Sequence, residues 1–320
     1  MIGNLLVWLA LVGMVAVLGW VTRRAWRSPK PALKWGGGLL CGLLTLMLAM
    51  ASVLSAIGLY TFYVPRGGPV RALQAARTPE QVARGEHLAQ IQCVGCHTQT
   101  GELPLSGGRN IASDMPLRVG ALYPINLTPS GPLKDWSDGE IMRVLDEGVD
   151  RSGRSLLAMA GIRPARYFNE ADKQALIAYL RTQPAVVNST PDPPDRPNML
   201  AALLVGGIRL LSNSKPAVIV ATVPKAPTAQ YGKYVVGWAD CRSCHGDDLS
   251  GGTGMGPIGP NLRLVQAWTP EQFVTTVRTG KDPGGHVLSD EMPWKHFRHL
   301  DDEEMSAVYS YLTGLPPAKH

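Results

Sequence analysis

The first 65 residues contain no aspartate and no glutamate, and all 25 acidic residues of this 320-residue chain follow them. Two apolar stretches within this region, at about 5–21 and 36–64, also lack any lysine or arginine. A helix needs about 20 apolar residues to cross the hydrocarbon core of a membrane. The missing charge therefore predicts that residues 1–65 form a transmembrane hairpin of two helices, which anchors the chain.

The short loop between the two stretches carries bases only, namely Arg23, Arg24, Arg27, Lys30 and Lys34. Loops rich in lysine and arginine stay on the cytoplasmic side of the membrane. Both ends of the hairpin should therefore face outward. We expect everything after about residue 65 to lie on the periplasmic or extracytoplasmic side of a bacterial cytoplasmic membrane.

Three other interpretations of this region are weaker. The arginine pair of the loop resembles a twin-arginine export signal, but it follows an apolar segment. Cys41 would need a small residue before it to be a lipidation site; Leu40 stands there instead, so we expect a lipid-facing or packing thiol. Cleavage near Ala51 or Ala56 is disfavoured because the second stretch is longer than the apolar core of a signal peptide.

After residue 65 the charge is nearly balanced, because 26 of the 31 bases accompany the 25 acids. The formal net charge of +6 thus comes mostly from the loop and reports topology, so nucleic acid is not an expected partner. The apolar stretches also lack any acid or histidine that would suggest a proton-coupled quinone site.

The remainder contains an internal repeat, whose copies we place at residues 78–185 and 230–320. Each copy has a middle helix that starts after a tryptophan, Trp136 or Trp268, and a glycine 12 residues after that tryptophan. Each copy closes with an acid-rich helix start, which the helix macrodipole favours, followed by an apolar helix. The sequence therefore predicts two domains of the same helical design.

Residues 186–229 connect the two copies. The segment 190–197 is rich in proline and should be extended. The apolar run 199–211 that follows is too short to span a membrane. We expect it to form a short helix that packs against one or both domains. A patch that touches the membrane surface or a partner subunit is the alternative.

Each copy contains one C-x-x-C-H sequence, Cys93-Val-Gly-Cys96-His97 in the first and Cys241-Arg-Ser-Cys244-His245 in the second. This sequence attaches haem c: two thiols add to the haem vinyl groups, and the adjacent histidine binds the iron. The two copies therefore predict two covalently attached haem c groups.

Other uses of paired cysteines explain less. Two C-x-x-C units can supply four thiolates to zinc, and disulfides suit an exported protein. Neither accounts for the histidine that follows each unit. A thioredoxin-like redox pair would require a βαβ pattern, which the sequence lacks.

The second axial ligand determines what the iron can do, and His/Met ligation suits electron transfer. In the second copy we favour Met292, in Glu291-Met-Pro-Trp294, 12 residues after Gly280. In the first copy Met159 occupies the matching position, 11 residues after Gly148. The rivals are Met255, His286 and His296 in the second copy and Met115 and Met142 in the first, whereas Met305 should be core.

Groups near the histidines have expected roles as well. The Pro260 carbonyl should accept a hydrogen bond from His245, and Pro124 should do the same for His97. Trp136 and Trp268 are candidates to reach a haem propionate, with packing as the equal alternative. The remaining histidines, which we expect to be solvated, are His87, His299 and His320.

Each copy resembles a class I cytochrome c domain: an N-terminal helix, C-x-x-C-H, a loop with proline and asparagine, a methionine loop and a final helix. The two copies cover about two-thirds of the chain. This resemblance implies an all-α fold, in which a two-helix transmembrane hairpin precedes two tandem class I cytochrome c domains. The tandem arrangement is also similar to cytochrome c subunits of bacterial membrane-bound alcohol and sugar dehydrogenases, although those commonly carry three haem domains and generally lack the hairpin.

The resemblance implies one-electron transfer by a membrane-anchored diheme carrier, with no catalytic residue of its own. The donor would be a dehydrogenase or a quinol-oxidising complex, and the acceptor a terminal oxidase or a soluble cytochrome. The alternative is a diheme enzyme, a peroxidase or sulfur-compound oxidoreductase, which requires one exchangeable axial position. A third interpretation is an anchor or assembly subunit.

Overall fold

The computed structural model describes residues 1–161, 164–211, 220–252 and 258–317. The described part is mostly helical and begins with two long apolar helices, which agrees with the expected fold class at that level. Its α-helices are α1 Ile2–Trp26, α2 Gly38–Tyr63, α3 Pro79–Gln92, α4 Val94–His97, α5 Asp138–Glu147, α6 Leu157–Gly161, α7 Glu170–Thr182, α8 Met199–Leu211, α9 Ala229–Trp238, α10 Arg242–His245, α11 Pro270–Thr279, α12 Trp294–Phe297 and α13 Asp302–Thr313. Two short strands, β1 Gly120–Leu122 and β2 Asp195–Pro197, pair antiparallel.

Helices α1 and α2 lie side by side as an antiparallel pair. Their apolar spans, Ile2–Trp26 and Ala32–Tyr63, are long and apolar enough to cross a membrane by length and composition. At one end of the pair the Asn4 side chain donates to the Tyr63 hydroxyl at 2.9 Å. These contacts give the N-terminal hairpin a fixed pairing along its length.

The first and last helices of each repeat cross at a glycine. A Cβ built on Gly85 of α3 would lie 2.0 Å from the Ala175 carbonyl oxygen of α7. In the second repeat, a Cβ on Gly232 of α9 would lie 1.9 Å from the Ala307 carbonyl oxygen of α13. Because any side chain would collide with the facing backbone, both crossings require glycine.

The middle helices α5 and α11 also match between the repeats. Each starts with a capping box, formed by Ser137 with Glu140 and by Thr269 with Gln272. Each ends at a glycine in the left-handed region, with φ of 69° and 70°, where residues with a side chain are strained. The start and stop signals in the sequence thus define these helices.

Helix α8 differs from expectation, because it packs chiefly along α2 rather than on the repeats. A Cβ on Gly58 of α2 would lie 1.9 Å from the Ala202 carbonyl oxygen, and a Cβ on Gly206 would lie 1.8 Å from the Leu54 carbonyl oxygen. Small residues on both helices permit this approach. The first repeat contacts α8 near its N-terminal end, through Val119 and Leu157.

The two repeats share one continuous hydrophobic core among the described residues, in which the Phe168 ring of the first lies 5.7 Å from the Trp238 ring of the second. A polar network crosses the same interface. The Arg84 guanidinium of α3 donates to Asp172 at 2.9 Å and to Glu304 of α13 at 2.8 Å. His87 Nε2 lies 2.7 Å from the other Glu304 oxygen. The expectation that His87 is solvated was therefore wrong, because its partner comes from the other repeat.

Glu304 is a fully buried carboxylate in this network. Burial opposes its ionisation and is the largest influence on its pKa. The hydrogen bonds and charges of His87 and Arg84 together outweigh burial and lower the pKa to about 2, from an ordinary value of 4.5. Because the folded-state pKa is depressed, the stabilisation is complete above pH 4.5 and is lost as the pH falls from there towards 2.

We expect Glu304→Gln to destabilise the folded chain by on the order of 3 kcal/mol, since it leaves buried cationic partners without their carboxylate. Denaturant unfolding at pH 7 measures this loss. The matched control is Glu303→Gln, at the exposed neighbouring position. The Glu304→Gln variant should also lose less stability than the wild type between pH 4.5 and 2. Equal stability of the two variants at pH 7 would contradict the buried ion pair.

Candidate functional site

The two C-x-x-C-H sequences form the same single helical turn. In the first, the His97 amide donates to the Cys93 carbonyl at 2.9 Å; in the second, the His245 amide donates to the Cys241 carbonyl at 3.0 Å. The glycine crossings described above position the helices that lead into these turns. Each turn therefore places its two sulfurs about one helical turn apart and presents its histidine at the end.

Both imidazoles are oriented by a backbone carbonyl. His97 Nδ1 donates to the Ile125 carbonyl at 2.9 Å, and His245 Nδ1 donates to the Pro260 carbonyl at 2.7 Å. A carbonyl only accepts, so Nδ1 carries the hydrogen and Nε2 keeps its lone pair for a metal. Burial lowers the pKa of both imidazoles, and the carbonyl hydrogen bond partly offsets this.

The expected acceptor for His245 is confirmed, whereas the expectation of Pro124 for His97 was wrong. The Pro124 carbonyl instead accepts from the Gly108 amide at 2.9 Å, as the Gly259 carbonyl accepts from Gly252 at 3.1 Å. Pro124 thus corresponds to Gly259, and the acceptor in each repeat is the residue that follows.

Glycines allow the loops to close on these turns. A Cβ on Gly108 would lie 1.8 Å from the Cys96 carbonyl oxygen, and one on Gly252 would lie 2.2 Å from the Cys244 carbonyl oxygen. A Cβ on Gly259 would lie 2.6 Å from the His245 ring. The imidazole is therefore held directly against backbone, which limits its rotation.

The alternatives of zinc and disulfides receive no support from the geometry. All four cysteines of the two turns are free thiols. Burial raises the pKa of Cys93 and Cys241 to about 12, which disfavours the thiolate form that zinc requires. Within the described ranges, the side chains close enough to form a three-ligand metal site are His87, Asp301 and Glu304, and no cysteine joins them. Arg84 already occupies Glu304, so that cluster is an ion-pair network.

The two methionine loops have the same backbone structure. Val149 bridges to Ser155 after Gly148, and Lys281 bridges to Val287 after Gly280. The amides of the next residues return to those glycines, Leu156 to Gly148 at 2.9 Å and Leu288 to Gly280 at 2.8 Å.

Met159 and Met292 follow these two loops. Met159 comes three residues after Leu156, on α6, and Met292 comes four residues after Leu288, just before α12. Both methionines are half-buried. The one-residue difference in spacing noted in the sequence thus arises after the shared hairpin.

The rivals for axial ligation have other positions. Met142 and Met305 are fully buried in the hydrophobic core, as expected of packing residues, while Met115 is exposed and His286 lies on the surface. Met255 falls outside the described residues, as does His320. The tryptophans Trp136 and Trp268 are half-buried and pack against the core.

A contact between His296 and the first attachment turn has no signal in the sequence. A Cβ on Gly95 would lie 2.8 Å from Cε1 of His296. His296 is half-buried there and comes four residues after Met292. The segment that carries the second methionine thus lies over the first C-x-x-C-H turn.

We expect Gly95→Ala to destabilise the contact between the repeats by about 1 kcal/mol, because the new methyl group must displace the His296 ring. Thermal unfolding measures the change. Ser243→Ala, at the exposed equivalent position in the second turn, is the matched control. In a His296→Ala background, Gly95→Ala should be tolerated. An unchanged penalty in that background would contradict the contact.

Comparison with known proteins gives a family match to cytochrome C oxidase, cbb3-type, subunit III, over residues 80–180 and 227–312. The chain is similar to the cytochrome c subunit of a quinone alcohol dehydrogenase from Gluconacetobacter polyoxogenes, at 24% identity over 277 residues, covering 76% of the chain and 58% of the relative. It is similar to the gluconate 2-dehydrogenase cytochrome c subunit of Pantoea cypripedii, at 25% identity, covering 73% and 59% respectively.

A further relative is a nicotinate dehydrogenase subunit from Pseudomonas putida, at 33% identity over 285 residues, covering 77% of the chain and 23% of the relative. The chain therefore spans less than two-thirds of the length of these relatives. Each segment of the family match contains one C-x-x-C-H turn with its carbonyl-oriented histidine. The chain belongs to the family of cytochrome c oxidase, cbb3-type, subunit III, and is an electron-transferring cytochrome with haem c as its cofactor.

Proposed function

We propose that this chain is a membrane-anchored diheme cytochrome c that relays single electrons. The observation that carries the proposal is the repetition of one arrangement: an attachment turn, a histidine oriented through Nδ1, and a methionine after a closed hairpin. The proposed units are a hairpin anchor at 1–65, cytochrome c domains at 78–185 and 230–320, and a linker at 186–229.

The proposed ligands follow from this arrangement. The cysteines of each turn, Cys93 with Cys96 and Cys241 with Cys244, would hold the two haems by thioether bonds. The bound haem supplies a one-electron couple between ferric and ferrous iron. Nε2 of His97 and of His245 would bind the metal, and Met159 and Met292 would supply the opposite ligands.

The protein's contribution is to fix these ligands. The hydrogen bond at Nδ1 sets the ring orientation and raises the basicity of Nε2. Methionine opposite histidine favours a higher potential and leaves no open position for substrate. An electron carrier needs both properties.

The donor and acceptor are proposed from the relatives and from the anchor. Two of the relatives are cytochrome c subunits of dehydrogenases, which supports a dehydrogenase as the donor. A quinol-oxidising complex is the other donor we consider, and a terminal oxidase or a soluble cytochrome would accept the electrons. The basic loop between α1 and α2 favours a periplasmic location for the repeats.

A diheme enzyme is the second candidate function. It would need one iron whose methionine is absent or exchangeable. The first repeat is the place to look, because Met159 lies closer to its hairpin than Met292 does and precedes no proline. A peroxidase or a sulfur-compound oxidoreductase would fit such a site.

We expect two haems per chain in the purified protein, by pyridine haemochrome assay. The paired substitution Cys93→Ala with Cys96→Ala should reduce this to one, and the same change at Cys241 and Cys244 should do likewise. Cys41→Ser, in α2, should leave the count at two. A wild-type count of one would contradict the diheme proposal.

We expect carbon monoxide to leave the visible spectrum of the reduced wild-type protein unchanged, because both irons are six-coordinate. Met159→Ala and Met292→Ala should each open one iron, so that about half of the haem binds carbon monoxide promptly. Met142→Leu, a core change of similar volume, is the control. Prompt binding to half of the wild-type haem would favour the enzyme instead.

A further inference from the structure

Helix α8 has two apolar faces and only one of them is covered. The face formed by Ala201, Ala202 and Gly206 is buried against α2. The opposite face carries Leu204, 36% exposed, and Ile208, 60% exposed. Arg209 is the sole charged residue of the helix. A helix that is apolar all round is typical of an apolar surrounding on every side.

The contacts with α2 fix the direction of α8. Ala202 lies against Gly58, and Gly206 lies against Leu54. Four residues forward on α8 thus correspond to four residues back on α2, so the two helices are antiparallel. Helix α8 starts beside the end of α2 and runs towards its middle.

This direction takes α8 below the end of the proposed membrane span. The apolar span of α2 covers 32 residues, and about 20 are enough to cross the hydrocarbon core. A 13-residue helix is about 20 Å long, which is too short to cross but long enough to enter one leaflet.

The outward face of α8 continues the apolar surface of the hairpin. Exposed α2 side chains include Met50 at 58% and Val53 at 58%. These lie in the stretch of α2 that α8 runs beside, and their exposure is similar to that of Ile208. No described residue covers the outward face of α8.

Charge at the edge of this surface fits a membrane boundary. Arg66, just after α2, and Arg209 are close enough for their charges to interact. The Arg66 guanidinium reaches back to the Tyr60 carbonyl at 3.3 Å. Long basic side chains at such a boundary extend their charge towards the headgroups while their stems stay in the apolar region.

We propose that α8 is a third membrane segment that does not span, seated in the lipid leaflet on the side of the haem repeats, with Leu204 and Ile208 against acyl chains. The inference rests on the anchoring role proposed for α1 and α2. Strand β2 joins α8 directly, pairs with β1 of the first repeat, and its Pro197 carbonyl accepts from Asn4 of α1 at 2.7 Å. The inserted helix therefore fixes the first repeat against the membrane surface.

The test uses the full haem-loaded chain in phosphatidylcholine–phosphatidylglycerol vesicles, with Cys41→Ser as background. A nitroxide label is placed at Ile208→Cys, and its collision rates with oxygen and with a water-soluble nickel chelate are compared. Leu46→Cys, on the exposed face of α2, is the lipid reference, and Val187→Cys, 93% exposed in the linker, is the water reference. The haem spectrum of each variant shows that the chain has folded.

We expect the Ile208 label to behave as the Leu46 label does, with an oxygen-to-nickel collision ratio several-fold above that of the Val187 label. A ratio equal to that of Val187 would overturn the proposal, since α8 would then face water. Low collision rates with both reagents would also overturn it and favour a protein partner or a second copy. If the Leu46 label itself met the nickel chelate freely, the anchor proposal would fail first.

Discussion

Two helix crossings without intervening side chains set the geometry of both repeats. At Gly85 and at Gly232 the first helix meets the backbone of the last helix. The first helix runs directly into the cysteine-bearing turn, so the crossing determines where that turn lies relative to the core. The loops that orient the histidines, and the hairpins that precede the methionines, are then built on the same frame. A side chain at either crossing would separate the helices and displace everything attached to them.

The repeats are joined by a mixture of packing and charge. The shared apolar core brings the two helical frames together, while Arg84, His87 and Glu304 place buried charges across the same interface. A buried ion pair contributes little net stability compared with apolar packing of the same volume, but it is costly to break. The network therefore favours one arrangement of the repeats over alternatives that would leave Glu304 unpaired.

Local signals in the sequence predicted the local structure well. Capping residues and terminal glycines located α5 and α11, and the repeat located the carbonyl that holds His245. The prediction for His97 aligned the repeats on proline, whereas the loops align one residue later. His87 could not be assigned, because its partner is 217 residues away in sequence. The position of α8 depends on α2 in the same way. The ligand roles of Met159 and Met292 stay predictions.

The contact of His296 with Gly95 links the two centres thermodynamically. Any rearrangement of the segment that carries Met292 must move His296 relative to the first attachment turn. The free energy of that rearrangement therefore includes the state of the first turn, and such coupling is reciprocal. With the ligands placed as proposed, the two irons do not titrate as independent electrodes. The affinity of each for its electron depends on the oxidation state of the other, beyond their direct electrostatic repulsion.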